Sequence, residues 1–217
     1  MITINEQLGS LDEAITLGVL KAKVNVHPSC DAIIRLLKEE ERRVSAFQLD
    51  NYRNDALIAS RAVYKQLGKD PSRYRISSDS LFRRLIKNKG LYYVNNVVDI
   101  NNIISLRTLW SVGAYDYGKI QGPITYQVGH DEHYEGIGRG VLNIKSLPVL
   151  ADQLGPFGSA TSDSLRTMVT EATQEVLMVI HGFGDARQMD KMLEDMKEYL
   201  VMYADASEIE LTMIKSS

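Results

Sequence analysis

"VNNVVDINN", residues 94–102, sets four amides and one carboxylate among valines and isoleucines. At 100° per residue, Asn95, Asp99 and Asn102 fall on one narrow stripe of a helix, and Val97, Ile100 and Ile104 stand opposite. Leu106 lies close to the polar stripe, and Val98 and Ile103 flank it, so the stripe is at least partly buried. A buried polar group without a partner costs about 1–3 kcal/mol, so these side chains must bond to backbone, water or a ligand. Two readings stand. In one, Asn96 is the N-cap, Asp99 answers it from the third helical position and Asn102 ties down a neighbouring loop. In the other, Asn95, Asn96, Asp99 and Asn102 face a ligand.

Working outward, the segments on either side of this helix show strand and helix periods in turn. Residues 2–4 and 17–26 read as strands, the second through the alternation Val19, Ala22, Val24, Val26. A helix starts near Pro28 and Ser29 and buries Ile33, Ile34, Leu36 and Leu37, with Glu39 to Arg43 as a solvated last turn. Asp50 or Asn51 caps a second helix that carries Leu57, Ile58, Val63 and Leu67 inward and stops at Gly68 and Pro71. Residues 72–90 open with a Ser77-Ser78-Asp79 cap and run as an amphipathic helix to Gly90. From 109 to 160 the chain is rich in Gly, Tyr and Pro, with strands expected at 124–128 and 140–144. Residues 176–183, 186–203 and 209–214 read as strand, helix (Met189, Met192, Leu193, Met196, Leu200 and Val201 inward) and strand, a βαβ-like unit.

With 217 residues and 44% hydrophobic residues, the chain can bury one substantial core, and a single domain over residues 1–217 is expected. A net charge of −3 excludes a uniformly basic nucleic-acid binder, so any such partner must be held by a local patch. Cys30 is the only cysteine, which excludes an internal disulfide and a cysteine-rich zinc site. No signal peptide opens the sequence and no apolar run approaches ~20 residues, so a cytoplasmic protein with no membrane partner is expected.

Taken together, residues 77–106 ("SSDSLFRRLIKNKGLYYVNNVVDINNIISL") and 113–124 ("GAYDYGKIQGPI") resemble the B3/B4 domain of the phenylalanyl-tRNA synthetase beta subunit, particularly its free-standing relatives. The likeness spans roughly residues 60–184, and its most specific parts are the stretch Asn95 to Asp99 and the run Ala114-Tyr115-Asp116 with Lys119. The resemblance implies a mixed α/β fold with helices packed on a mixed β-sheet, and tRNA or aminoacyl-tRNA as partner. It implies editing by ester hydrolysis of a mischarged tRNA, which makes aminoacyl-tRNA deacylase the enzyme class to test. Full tRNA ligase activity is not implied, because the aminoacylation module has no counterpart here. The tyrosine-rich loops and the Asn/Asp helix are expected near one cleft, with Tyr115 and Asp116 joining the ligand candidates.

The pattern departs from the family at the editing pocket. The histidine that precedes the family's Ala-Phe-Asp turn is Gly113 here, a glycine pair aligns near Asp163 and Ser164, and a pocket glutamate falls at Val179. A Thr-x-Ala pocket segment has no counterpart. No residue is assigned as catalytic, and the second functional reading is a non-catalytic scaffold that binds an amino acid or related metabolite.

Residues 73–89 carry Arg73, Arg75, Arg83, Arg84, Lys87 and Lys89 against Asp79, the best candidate for a phosphate-contacting face. Tyr74, Tyr92 and Tyr93 flank it and can stack on unpaired bases; alternatively Arg83 and Arg84 pair with acids and the tyrosines cover a sheet edge. His130-Asp131-Glu132-His133 lacks the helical i, i+4 histidine spacing of zinc hydrolases, so neither a metal nor another cofactor is expected. His181 lies in an apolar run and reads as a hydrogen-bonded structural histidine. Residues 155–164 are turn-rich without a phosphate-loop ending, and no histidine near in sequence supports Ser159 or Ser162 as a nucleophile.

Overall fold

The structure, a computed structural model, describes residues 2–47 and 54–216. It opens with β1 (Ile2–Ile4), α1 (Glu6–Gly9) and β2 (Ile15–Lys23), followed by α2 (Asp31–Ser45), α3 (Asp55–Gln66), α4 (Ser77–Ile86) and α5 (Asn96–Thr108). Next come β3 (Ser111–Asp116), β4 (Ile124–Val128), β5 (His133–Gly136), β6 (Gly140–Asn143), β7 (Pro148–Asp152), β8 (Gly155–Ser159) and β9 (Glu175–Phe183). The chain ends in α6 (Met189–Ala204) and β10 (Ser207–Lys215).

One sheet has the order β10-β2-β9-β3, a second β1-β4-β7-β8, and β5 pairs with β6 as a hairpin. β9 is covered on both faces, which is why residues 176–180 form an unbroken apolar run and do not alternate with polar residues. Val176, Met178 and Ile180 point towards α2, α5 and α6; Leu177, Val179 and Phe183 point towards the second sheet. β10 and β9 lie in the same sheet with β2, antiparallel to both, between them, so the terminal strand-helix-strand unit spans an intervening strand.

Several local expectations are corrected. The cap positions Asp50 and Asn51 lie outside the described residues; α3 is capped by Asn54, whose side chain accepts from Ala56 and Leu57 N–H. Ile58 is 48% exposed, because it sits on the opposite side of α3 from the buried Leu57 and Val63. Glu40 is buried inside the supposed solvated turn, since it pairs with Arg43 and with Arg107 of α5. The Ser77-Ser78-Asp79 cap is instead the first turn of α4: Ile76 holds the N-cap position, and Ser78 Oγ donates to the Leu109 carbonyl. α4 ends at Ile86, ahead of Gly90. Val201 of α6 is 50% exposed, one step beyond the buried Leu200.

Candidate functional site

The Asn/Asp ridge is built as a clamp. Asn95 caps α5, its side chain accepting the Val98 N–H at 2.9 Å, so the cap lies one residue earlier than the spacing suggested. Asn96 is fully buried: its Nδ2 donates to the carbonyls of Asn25 (2.9 Å) and Tyr203 (2.8 Å), and its Oδ1 accepts the His27 N–H (3.1 Å). One amide therefore joins α5 to the exit of β2 and the end of α6. Asp99 accepts from Ser29 Oγ at 2.6 Å and from the Val94 N–H at 3.2 Å. Burial raises its pKa, and those two hydrogen bonds pull it back. Asn102 is half-buried on the same helix.

Tyr115 does not join this ridge. Alternation along β3 sends Val112 and Ala114 to the helices and Tyr115 to the other face, between the two sheets, so the β3 sheet separates it from Asn96 and Asp99. Asp116, at the end of β3, accepts from Gly118 N–H and from Thr173 Oγ1, and lies 3.6 Å from Lys119. It is a turn-closing carboxylate. The single cleft expected for the tyrosine loops and the Asn/Asp helix is thus two separate places.

Between the sheets the Tyr115 phenol fills a slot whose walls are glycines. A Cβ at Gly113 of β3 would stand 2.0 Å from Tyr115 Oη, and one at Gly158 of β8 would stand 2.3 Å from it. The hydroxyl donates to Asp163 at 2.7 Å, and the ring meets Phe157 edge-on at 5.0 Å. Three of the four positions expected above to depart from the family pattern meet near this phenol: Gly113 faces Val179 across the β3–β9 ladder, and Asp163 accepts the hydrogen bond of the hydroxyl. A side chain at position 113 and the Tyr115 ring compete for one space.

Further polar groups surround the slot. Ser159 accepts from Tyr134 Oη and donates to the Ser162 carbonyl, so its partners are a phenol and backbone, without an imidazole base. Tyr64 pairs with Thr161 at 2.8 Å, and His181 Nδ1 lies 3.1 Å from Tyr126 Oη. Burial lifts the Asp163 carboxyl to about 7, against the opposing bonds from Tyr115 and the Ser159 N–H. Burial lowers His181 to about 3, and its Nε2 has no partner among the described residues. Burial, then the Asp163 charge, push the Tyr115 phenol well above its ordinary range, so it remains a donor. Proximity in sequence could not reveal this cluster: Asp163, Ser159 and Tyr134 carry no period, and β8, β5 and β3 meet only in the fold.

The basic segment divides between the ends of α4, a helix about 15 Å long at 1.5 Å per residue. At its start, Arg83 donates to Asp79 at 2.7 Å and Arg61 to the same carboxylate at 3.2 Å, while Arg73 and Arg75 are exposed. Past its end, Arg84 donates to the carbonyls of Gly90 (2.7 Å) and Lys89 (3.0 Å) and places its guanidinium 4.2 Å over the Tyr92 ring. Lys87 and Lys89 are exposed beside it, with Tyr92 72%, Tyr93 45% and Val94 59% exposed. Arg61 and Arg139 were missing from the sequence reading, because they stand on other elements and reach α4 only in space; Arg139 Nη2 lies 3.5 Å from Ser80 Oγ. No group of metal-binding side chains forms among the described residues, and none of their helices is long and apolar enough to cross a membrane.

Comparison with known proteins bears on the whole arrangement. The chain is similar in fold to the crystal structure of an N-terminal fragment of the phenylalanyl-tRNA synthetase beta-subunit from Pyrococcus horikoshii, at a TM-score of 0.50 and 11% identity. That match covers 100% of this chain and 54% of the other, so the chain spans about half the length of the fragment. No curated protein sequence matches it. The family model described as the B3/4 domain matches residues 59–201, a stretch that runs from α3 through α6 and holds both α4 and the inter-sheet slot. The chain belongs to the B3/4 domain family.

Proposed function

We propose that the chain binds tRNA, or an aminoacyl-tRNA end, through the surface at the C-terminal end of α4, and that it does so without hydrolysing the ester. The observation that carries this reading is the Arg84–Tyr92 stack, with Tyr93 exposed next to it and Lys87 and Lys89 alongside. A solvent-facing aromatic ring costs apolar exposure, and the guanidinium over it is already fixed by two carbonyls, so the pair forms a preorganised platform. Stacking on such rings is worth about 1–3 kcal/mol per base and tolerates any base, while the lysines follow the backbone charge. Membership of the B3/4 family supports the choice of tRNA among RNAs.

Binding is favoured over hydrolysis because the slot between the sheets holds the chain's own phenol, with the Asp163 carboxyl committed to it. Metabolite binding at the ridge would require breaking the bonds of Asn96 and Asp99 that close the fold. Filter binding or anisotropy with unfractionated tRNA tests the proposal: affinity falls steeply with salt, and Lys87→Glu with Lys89→Glu reduces the salt slope. Salt-independent binding, or none at low salt, rejects it. A deacylation assay on mischarged tRNAs should read the uncatalysed rate, and enhanced hydrolysis would overturn the non-catalytic part.

A further inference from the structure

At the other end of α4 a notch of about 10 Å³ opens between α3 and the segment before α4, lined in part by Ser60, Arg61, Tyr64, Tyr74, Arg75 and Asp79. It has room for about one water, so a larger ligand would lie across its mouth. The charges there do not balance. Asp79, 2% exposed, gives one oxygen to Arg61 and the other to Arg83, and no acid pairs with Arg75 among the described residues. Two guanidiniums thus share one carboxylate, and a third, that of Arg75, lines the same notch without an acid partner among the described residues. The neighbouring Asp70 accepts from the Ser72 N–H and hydroxyl and its charge acts on Arg73, and it forms no ion pair with Arg61, Arg75 or Arg83 among the described residues. Lys69, 3.9 Å over the Tyr74 ring, and Arg139, at Ser80, add further positive charge at the rim. Burial and then the charge of Lys145 lower the Lys69 pKa.

We propose that the mouth of this notch is a site for a phosphate monoester dianion, gripped by Arg75 and by the N–H groups of Arg61 that Asp79 leaves unused. A guanidinium has five N–H donors in a fixed fork, and one nitrogen of Arg61 serves Asp79. A carboxylate offers one edge and a single charge, enough for one fork. A phosphate monoester offers three oxygens and up to two charges, which matches two forks and the local excess. The proposal goes beyond the RNA-binding reading and does not depend on it, since the two places stand at opposite ends of α4.

The same chemistry is presented by inorganic phosphate and by the 5′-phosphate of an RNA strand. Calorimetry and thermal unfolding with inorganic phosphate, against acetate at equal ionic strength, test the site itself. Phosphate should bind and raise the melting temperature where acetate does not. Arg75→Ala, an exposed change that leaves the fold intact, should weaken phosphate at least tenfold, and Arg75→Lys should keep only part of the affinity. Equal stabilisation by acetate, or undiminished phosphate binding in Arg75→Ala, overturns the proposal. A 5′-phosphorylated oligoribonucleotide that outbinds its 5′-hydroxyl twin identifies RNA as the source, and equal binding of the two identifies free phosphate. Tyr92→Ala with Tyr93→Ala separates the two readings: phosphate binding that survives the loss of tRNA binding leaves the notch standing.

Discussion

The slot between the sheets and the platform beyond α4 use the same residue type in opposite ways. Tyr115 is fully buried, flanked by glycine positions and bonded to a carboxylate. Tyr92 is 72% exposed with the Arg84 guanidinium against its face. A phenol inside, with its hydroxyl partnered, specifies packing; a phenol outside, with its face partly free, is available to a ligand. Stability should therefore reside in the first region and recognition in the second.

The largest effect expected is from placing a side chain at position 113. Gly113→His puts atoms where Tyr115 Oη already stands, and should cost at least about 3 kcal/mol in urea unfolding, at or above the usual 1–3 kcal/mol of overpacking. Wild-type stability in that variant would mean that the slot is soft and the contrast false. Asn96→Ala comes next, leaving two carbonyls and two N–H groups without this partner, for a loss of about 2–3 kcal/mol.

The pH dependence is subtler, because two buried groups pull in opposite directions. Asp163 has a folded pKa of about 7 against an ordinary 3.8, so it holds its proton longer in the folded chain. Its stabilising contribution is full below 3.8 and is lost as pH rises through 7. His181 is lowered to about 3 from 6.5, so the unfolded chain takes up the proton first and stability falls as pH drops below 6.5. Between about pH 4 and 6.5 the two nearly cancel. Asp163→Asn should expose the acid-side loss and His181→Gln the alkaline-side loss; identical melting-temperature profiles in both variants would refute the assignment. The smallest effect on stability belongs to the platform. Tyr92→Ala with Tyr93→Ala should change unfolding by no more than about 0.5 kcal/mol, as surface substitutions do, while reducing tRNA affinity at least tenfold.

What the sequence revealed follows the same division. Periodicity located β1, β4, α5, α6 and β10, each with one side turned to the core, while β9, covered on both faces, was legible as an apolar run of strand length. The family likeness read in residues 77–106 and 113–124 agrees with the B3/4 match, which covers both stretches, and they form α4, α5 and most of β3. The helix period also showed that the Asn/Asp stripe is buried, but not what it bonds, since the partners of Asn96 lie 71 and 107 residues away in the chain. The Tyr115–Asp163 pair spans 48 residues and the sheet-to-sheet gap, so neither half marks the other. Charge counting found the basic segment but could not divide it, because one helix face turns Arg83 to Asp79 and the next turns Arg84 to the carbonyls beyond Ile86.

The Asn96 amide ties the Asn25 carbonyl and the His27 N–H, at the exit of β2, to the Tyr203 carbonyl near the end of α6, so none of those groups can open alone without breaking bonds held by the same side chain. The His27 amide, the first turn of α5 and the last turn of α6 should then exchange hydrogen with solvent as one cooperative unit, slower than helix ends that fray independently. A single planar group near the terminal strand would so set the rate at which this corner of the molecule breathes.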